Sequence, residues 1–378
     1  MDMVSTHPIL RPIPPGLTEV GSAVAVSVVV IGRNESARLP RCLASIQRAA
    51  WNGLPWELIY VDSCSSDSSV TIAQTLGARV LDLGSANTCA AAARNVGWRA
   101  ALGAFVLFLD GDTELEPEFL RQALPVLGNP KIVAVWGHRR ESNPTQSIYT
   151  RVLDLDWVFA PGKVDYFGGD ALVRRQALLE AGGFDDTLVA GEEPELCQRL
   201  RARGWQIEHI DVPMTRHDLG IRSLRAWWVR AERAGLAYAQ VAARFRNTSD
   251  PLWSREAQRN LWHGGTLLAL SLLMVLAFAT ATLSALLSPP LPWIRESGLL
   301  PTPWAAAVAV MLTGALLAGW GRSAVRCRWK CPEDVTLAWC YAAHSHLQQI
   351  PILIGQWRWF WLARQQKAPR LIEYRMHG

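Results

Sequence analysis

Paired cysteines are missing from this sequence. Its 378 residues hold seven, Cys42, Cys64, Cys89, Cys197, Cys327, Cys331 and Cys340, an odd total with no pair of CxxC motifs to cage a metal. That excludes a disulfide framework and a zinc ribbon, and it fits a reduced, cytosolic setting. Cys327 and Cys331 read as bystanders at helical spacing. Missing too is the charged start and apolar run of a secretory signal: residues 1–22, with Pro8, Pro12, Pro14 and Pro15, read as a loose, disordered tail. A large excess of one sign of charge is also missing, with 38 Lys and Arg against 33 Asp and Glu. A net +5, without any zinc-finger or RNA-binding signature, argues against nucleic acid as the partner. It suits an anionic membrane face or a phosphate-bearing ligand.

What is present falls into two regimes. From about residue 23 to 213, short apolar segments at 24–31, 56–61, 79–83, 104–109 and 132–136 read as strands. Helical stretches at 37–49, 68–76 and 90–101 lie between them. Such alternation predicts a mostly parallel sheet covered by helices on both faces. Ligands of such sheets sit beyond the carboxyl ends of the strands. Arg33, Asn34 and Glu35 follow the first strand, Asp62 the second and Asp110 the fourth.

After residue 260 the composition turns apolar. Residues 267–287 carry no charge and are long enough to cross a bilayer, and 303–320 form a second, shorter run. Arg322, Arg326, Arg328 and Lys330 follow it, a bias that predicts an outside loop at 288–302 and cytosolic chain ends. Residues 339–362 are aromatic but interrupted by His344, His346, Gln348, Gln349 and Pro351, which favours an interfacial or re-entrant segment over a third span. Twelve of the 18 tryptophans lie from Trp227 onward, as expected where rings line a membrane–water boundary. Residues 222–242 read as a basic amphipathic helix with Trp227 and Trp228. The expected organisation is therefore a catalytic domain at 23–220, an amphipathic connector at 221–262, a two-helix transmembrane anchor at 263–321 and an interfacial segment at 322–378.

Chemistry concentrates at Asp110–Gly111–Asp112, directly after an apolar strand. Two carboxylates so close repel unless a cation or proton lies between them. Glycine between them lets the backbone turn and a ligand approach. Oxygen ligands of this kind suit Mg²⁺ or Mn²⁺ shared with phosphate oxygens. A solvated turn would use the same residues.

The segments VSVVVIGRNE, ELIYVDSCSSDSS, AAAARNVGWRAALG, FVLFLDGDTELEPEFL, FGGDALVRRQALLEAGGFDD and GEEPELCQRLRARGW stand in this order between residues 26 and 217. Together they resemble glycosyltransferase family 2. That resemblance implies an α/β GT-A fold, a doubly wound nucleotide-binding sheet, here followed by C-terminal transmembrane and interfacial helices. It implies inverting, metal-dependent transfer of a sugar from a nucleotide-sugar donor, with Mn²⁺ or Mg²⁺ held by Asp110, Asp112 and His217. Membrane attachment makes a lipid-linked or membrane-proximal acceptor the expectation.

Carried onto this chain, the family pattern puts Arg33, Glu35, Asp62, Arg94, Asn95, Asp110 and Asp170 on the donor side. Asp67 resembles a second acid of the loop after Asp62, and capping of the helix at 68–76 would explain it equally well. The place where the family carries Glu-Asp, its second acid the general base, reads Glu192–Glu193 here. The base therefore falls on Glu193, with Glu192 as the alternative. Pro194 fits a first helical position and Gly204 a helix stop. The Gln-x-x-Arg-Trp motif of the processive members is replaced by Leu224–Arg225–Ala226–Trp227, which argues against a polymer-extruding channel. A nucleotidyltransferase would need a Gly-rich phosphate loop where this chain has GRNESARLPR, and a catalytically silent scaffold would not need the acids at 110, 112, 192 and 193.

Overall fold

The computed structural model describes residues 24–84, 88–287 and 304–367. Its contacts separate two compact units: the chain up to Pro144 with Trp157–Gly220, and Thr145–Asp156 with the chain from Ile221 onward. The expected tail at 1–22 and the loop at 288–302 lie outside the described residues, as do the last residues of the chain.

The first unit is a nine-stranded sheet with helices. Strand β1 (Val26–Gly32) is apolar at nearly every position and buried on both faces, the pattern of a central parallel strand. It pairs in parallel with β2 (Trp56–Asp62) and β4 (Phe105–Asp110), and β2 pairs with β3 (Arg79–Asp82). The register sets Gly32 beside Asp62 and Ile31 beside Asp110, so one edge of the sheet collects the strand ends. Helices α1 (Leu39–Gln47), α2 (Ser69–Thr75) and α3 (Ala90–Ala100) connect these strands within a residue or two of the segments expected.

Beyond β4 the sheet is mixed, not parallel. After β5 (Thr113–Leu115) and α4 (Phe119–Val126), strand β6 (Ile132–Glu141) continues five residues past its apolar core. Strand β8 (Ala171–Arg174) runs antiparallel between β4 and β6, pairing Ala171 with Phe108. Strand β9 (Gln206–His217) lies parallel to β6 and antiparallel to both β5 and β7 (Gly162–Val164). Strands of three or four residues, such as β5, β7 and β8, are too short for a period to declare itself. Helix α6 (Arg175–Ala181) follows β8, and α7 (Glu192–Ala202) precedes β9. Helix α7 starts at Glu192, so Pro194 is its third residue, still in the turn whose N–H groups have no helical partner. Gly204, with φ +86°, stands just past its end.

The second unit is helical. It contains α5 (Ile148–Asp154), α8 (Leu224–Phe245), α9 (Ser254–Leu287), α10 (Trp304–Cys327), α11 (Val335–Leu347) and α12 (Gln349–Arg364). Among the described residues, α9 over Ser254–Thr280 is long and apolar enough to cross a membrane, with a mean hydropathy of 1.8 and 11% of its apolar window buried. Leu272, Leu273, Val275, Leu276 and Phe278 are exposed on it. The second expected run, 303–320, is helical from Trp304 and lies partly outside the described residues.

Residues 339–362 fall in two helices, α11 and α12, which divide at Gln348. One expectation changes here: α8 is not simply an interfacial surface. A Cβ on Gly235 would lie 2.0 Å from the Ile352 carbonyl oxygen, and one on Gly355 would lie 2.0 Å from that of Glu232. Each glycine thus admits the backbone of the other helix, and α8 buries one face on α12. Trp227, expected at an interface, is buried and donates from Nε1 to His344 Nδ1 at 2.9 Å.

Candidate active site

The mixed topology brings together what the sequence keeps apart. Because β8 enters beside the carboxyl end of β4, Asp170 arrives at Asp110, whose backbone N–H donates to Asp170 Oδ1 at 3.3 Å. Because β9 pairs Thr113 with His217, the imidazole arrives at Asp112, with Nε2 3.1 Å from Oδ1. Ligand atoms of Asp110, Asp112 and His217 all lie within 4.8 Å of one another, the latter two residues buried. Two carboxylates and an imidazole at that spacing could hold a divalent metal ion, the carboxylates suiting Mn²⁺ or Mg²⁺ and the imidazole suiting a transition metal better than Mg²⁺.

Arg94 of α3 is the next link. Its guanidinium, 3% exposed, stands 3.0 Å from Asp110 Oδ1, 2.9 Å from Glu192 Oε1 and 3.0 Å from Glu193 Oε1. A Cβ on Gly169 would lie 2.9 Å from both Arg94 Nη2 and Asp110 Oδ2, so only glycine lets the backbone pass so near this ion pair. Of the two glycines in Phe167–Gly168–Gly169–Asp170, which precede strand β8, Gly169 serves close approach, whereas a Cβ on Gly168 would meet nothing nearer than 4.0 Å. Of the two acids that open α7, the Glu193 side chain is the more exposed, 16% against 6% for Glu192. Burial, then the Glu192 charge beside it, pushes the Glu193 carboxyl up to about 7, with Arg94 pulling back.

Asp170 is buried and accepts from Thr215 Oγ1 at 2.8 Å. Burial pushes its carboxyl up to about 6; Arg139 opposes that shift and Asp110 adds to it. Arg139 and Trp157 carried no sequence signal. The Arg139 guanidinium, on the extension of β6, stands 3.6 Å from both Asp110 Oδ2 and Asp170 Oδ2. It covers the Trp157 ring at 4.8 Å, and that ring meets the His217 ring edge-on at 5.2 Å. The only available hint was the run His138–Arg139–Arg140–Glu141, polar residues prolonging an apolar strand.

The remaining expected donor residues occupy the same sheet edge in different ways. Asp62, buried, accepts from Ser65 N at 2.7 Å and Tyr60 Oη at 3.2 Å. Glu35 pairs with Arg38 at 2.6 Å, and its Cγ would meet a Cβ on Gly111 at 3.2 Å. Arg33 is exposed on the loop after β1. Asn95 is turned away from the cleft: its amide donates to Phe184 O at 2.8 Å and accepts from Phe184 N and Trp98 Nε1, each at 2.9 Å. That amide clamps α3 to the loop at Phe184. Asp67 acts at the start of α2, accepting from Ser69 N and Ser36 N at 3.0 Å each. Burial pushes its carboxyl up, but hydrogen bonds from Ser69 and Ser36 outweigh that and hold it down at about 2.

The chain thus has a mixed α/β sheet with a candidate Asp–Asp–His metal site at its strand ends, and comparison with known proteins gives the class. A model of glycosyl transferase family 2 matches residues 27–182, and one of glycosyl transferase family group 2 matches residues 105–342. The chain belongs to this family. It is 29% identical over 242 residues to a pre-mycofactocin glycosyltransferase of Mycobacterium tuberculosis, covering 60% of this chain and 49% of that protein. It is 23% identical over 229 residues to a beta-monoglucosyldiacylglycerol synthase of Trichormus variabilis, covering 56% and 48%. The chain thus spans about half the length of these relatives. Among solved structures, the mannosyltransferase PcManGT of Pyrobaculum calidifontis, in complex with GDP-Man and Mn²⁺, shares its fold. The TM-score is 0.55 at 19% identity, with 90% of each chain covered.

Proposed function

We propose that this chain transfers a single sugar from a nucleotide-sugar donor to a lipid-linked or membrane-proximal acceptor, with inversion and in a non-processive manner, using Mn²⁺ or Mg²⁺. One observation carries the reading: Asp110, Asp112 and His217 converge within 4.8 Å while Arg94 ties Asp110 to Glu192 and Glu193. Family membership and the GDP-Man and Mn²⁺ bound by the related mannosyltransferase add support.

In this reading Asp110, Asp112 and His217 hold the cation, which supplies positive charge to the departing nucleotide diphosphate. Arg33, Glu35 and Asp62 serve the base and ribose end of the donor, where carboxylates accept hydrogen bonds well. Asp170 lines the sugar side. Glu193 accepts the proton of the acceptor hydroxyl as that oxygen bonds to the anomeric carbon and the carbon–diphosphate bond breaks, the electron pair leaving with the diphosphate. Glu193 is favoured over Glu192 because its side chain is the more accessible and its pKa, raised to about 7, suits a base at neutral pH.

Membrane attachment in this reading runs through α9, whose exposed leucines and low burial support it; α10, with Val310, Met311 and Leu317 exposed, is proposed as a second pass. In the multi-pass topology proposed here the catalytic unit faces the cytosol. The name of the diacylglycerol-modifying relative is consistent with a lipid acceptor.

The test is a screen of nucleotide sugars with Mn²⁺ and membrane lipid extract, reading nucleotide diphosphate release. Release that needs both the cation and the lipid is expected. A chain that turns over no nucleotide sugar under these conditions is not the enzyme described here.

A further inference from the structure

Arg94 read at first as a residue for the donor, yet its geometry fits another role. Both terminal nitrogens face carboxylates, Nη2 at Asp110 and Nη1 at Glu192 and Glu193, and the side chain is 3% exposed. The Phe184 ring stands 5.7 Å from the guanidinium carbon. Little of the fork is left for a phosphate.

Asp110 is engaged on both of its oxygens: Oδ1 by Arg94 at 3.0 Å, Oδ2 by Arg139 at 3.6 Å. A divalent cation entering between Asp110, Asp112 and His217 therefore competes with a guanidinium for the carboxylate's charge. Arginine does not shed its proton, so it cannot withdraw by becoming neutral. It can only shift its weight. Since Nη1 already touches the two glutamates that open α7, the charge released at Asp110 has one near destination.

We propose that Arg94 is a resident counter-cation that holds Asp110 until a divalent cation claims it, and that then secures the Glu192–Glu193 pair. Cation loading at β4 is thereby coupled to placement of the base on α7, 83 residues later in sequence than Asp110. This rests on the metal-dependent transfer reading and adds a positioning residue to it. The coupling is reciprocal, as any linkage between two sites must be: the contact that weakens cation binding also makes the base respond to it.

Mn²⁺ titration calorimetry on the full chain in detergent micelles, without donor, gives a readout separate from turnover. Arg94→Met keeps side-chain length and deletes the charge, so Mn²⁺ should bind roughly 10-fold tighter while turnover falls by about 10²-fold. A residue that merely held the fold together would lose both. Arg94→Lys keeps the charge as a point that cannot bridge two partners, so Mn²⁺ affinity should stay within about threefold of native and turnover should drop about tenfold. Glu192→Gln leaves Arg94 with one fewer acid to share, so more of its charge rests on Asp110 and Mn²⁺ should bind about threefold more weakly. Unchanged or weaker Mn²⁺ binding in a folded Arg94→Met chain overturns the proposal, as does tighter binding in Glu192→Gln. The second measurement decides alone if Arg94→Met does not fold. A native chain that binds no Mn²⁺ removes the metal reading and this inference together, whereas native binding with the reversed pattern in the variants removes the inference alone.

Discussion

The two units of this chain distribute charge and oil in opposite ways. In the sheet unit, Asp112, Asp170, Glu192 and Arg94 are buried along with an extensive apolar core. In the helical unit, Leu272, Leu276, Val310, Met311 and Leu317 are on the outside, while a histidine, a tryptophan and a glutamine lie inside. Burying ions is costly unless they are paired, and each of those in the sheet unit has a partner within hydrogen-bond reach or a little beyond. Exposing leucine to water is costly too, unless the surroundings are themselves apolar. The difference fits the two roles proposed above, a charged donor for one unit and apolar surroundings for the other.

The comparison breaks first, and by most, at the apolar surface. Leu272→Lys together with Leu276→Lys should cost about 5 kcal/mol of membrane partition, at roughly 2.5–3.5 kcal/mol per buried lysine. Carbonate washing of the membrane fraction should then release a larger share of the variant than of the native chain, α10 holding the rest. If the double variant stays in the pellet as the native chain does, α9 is not the anchor.

Next comes the buried charge. Glu193→Gln should lower turnover by roughly 10²-fold and leave donor affinity almost unchanged, while Mn²⁺ binding weakens by no more than about threefold through the shared Arg94, since the main loss is felt as the acceptor oxygen attacks. The native pH profile carries the same signature. A carboxyl pushed up to about 7 is protonated below that pH and cannot accept a proton. The rate should therefore fall about tenfold per pH unit on the acid side and level off above about 7. A Glu193→Gln chain that keeps both the rate and the acid limb moves the base to another residue.

Packing in the helical unit supplies the third test. Gly355→Val places atoms against the Glu232 carbonyl and should destabilise the α8–α12 pair by about 1–3 kcal/mol. Thermal unfolding followed by circular dichroism in detergent should show the loss, with Mn²⁺ affinity retained. Equal loss of Mn²⁺ binding would mean that the two units do not respond separately.

The smallest effect is expected at Thr215→Val. One hydrogen bond to Asp170 disappears, worth about 1 kcal/mol, so the carboxyl should titrate higher and turnover should fall by a few-fold. An unaltered rate would take Asp170 out of the sugar side of the site.

Much of this was legible in the residues themselves. The parallel strands announced themselves because each is a short apolar run closed by polar residues, and Asp62 and Asp110 could be put at strand ends on that ground alone. Glu192 and Glu193 were visible as acids opening a helix. Asn95 misled, since a residue next to Arg94 in sequence points across α3 to the Phe184 backbone and not toward the cleft. Arg139, Trp157 and Thr215 gave no warning. Each lies on or near the mixed half of the sheet, where strands of three or four residues and long polar extensions conceal their partners.

The sequence by itself determined the local matters: where apolar runs become strands, where glycine and proline end them, and which acids stand at their tips. Those follow from side-chain size, backbone freedom and periodicity over a few residues. The composition of the apolar run in α9 likewise declared an apolar surface before any fold was known. Which acids share a guanidinium, which imidazole reaches Asp112 and which glutamate stays accessible were decided only by tertiary structure. Those contacts join residues from 16 to about a hundred positions apart, several through antiparallel strands whose pairing no local pattern encodes, and electrostatic coupling depends on distance in space, not along the chain.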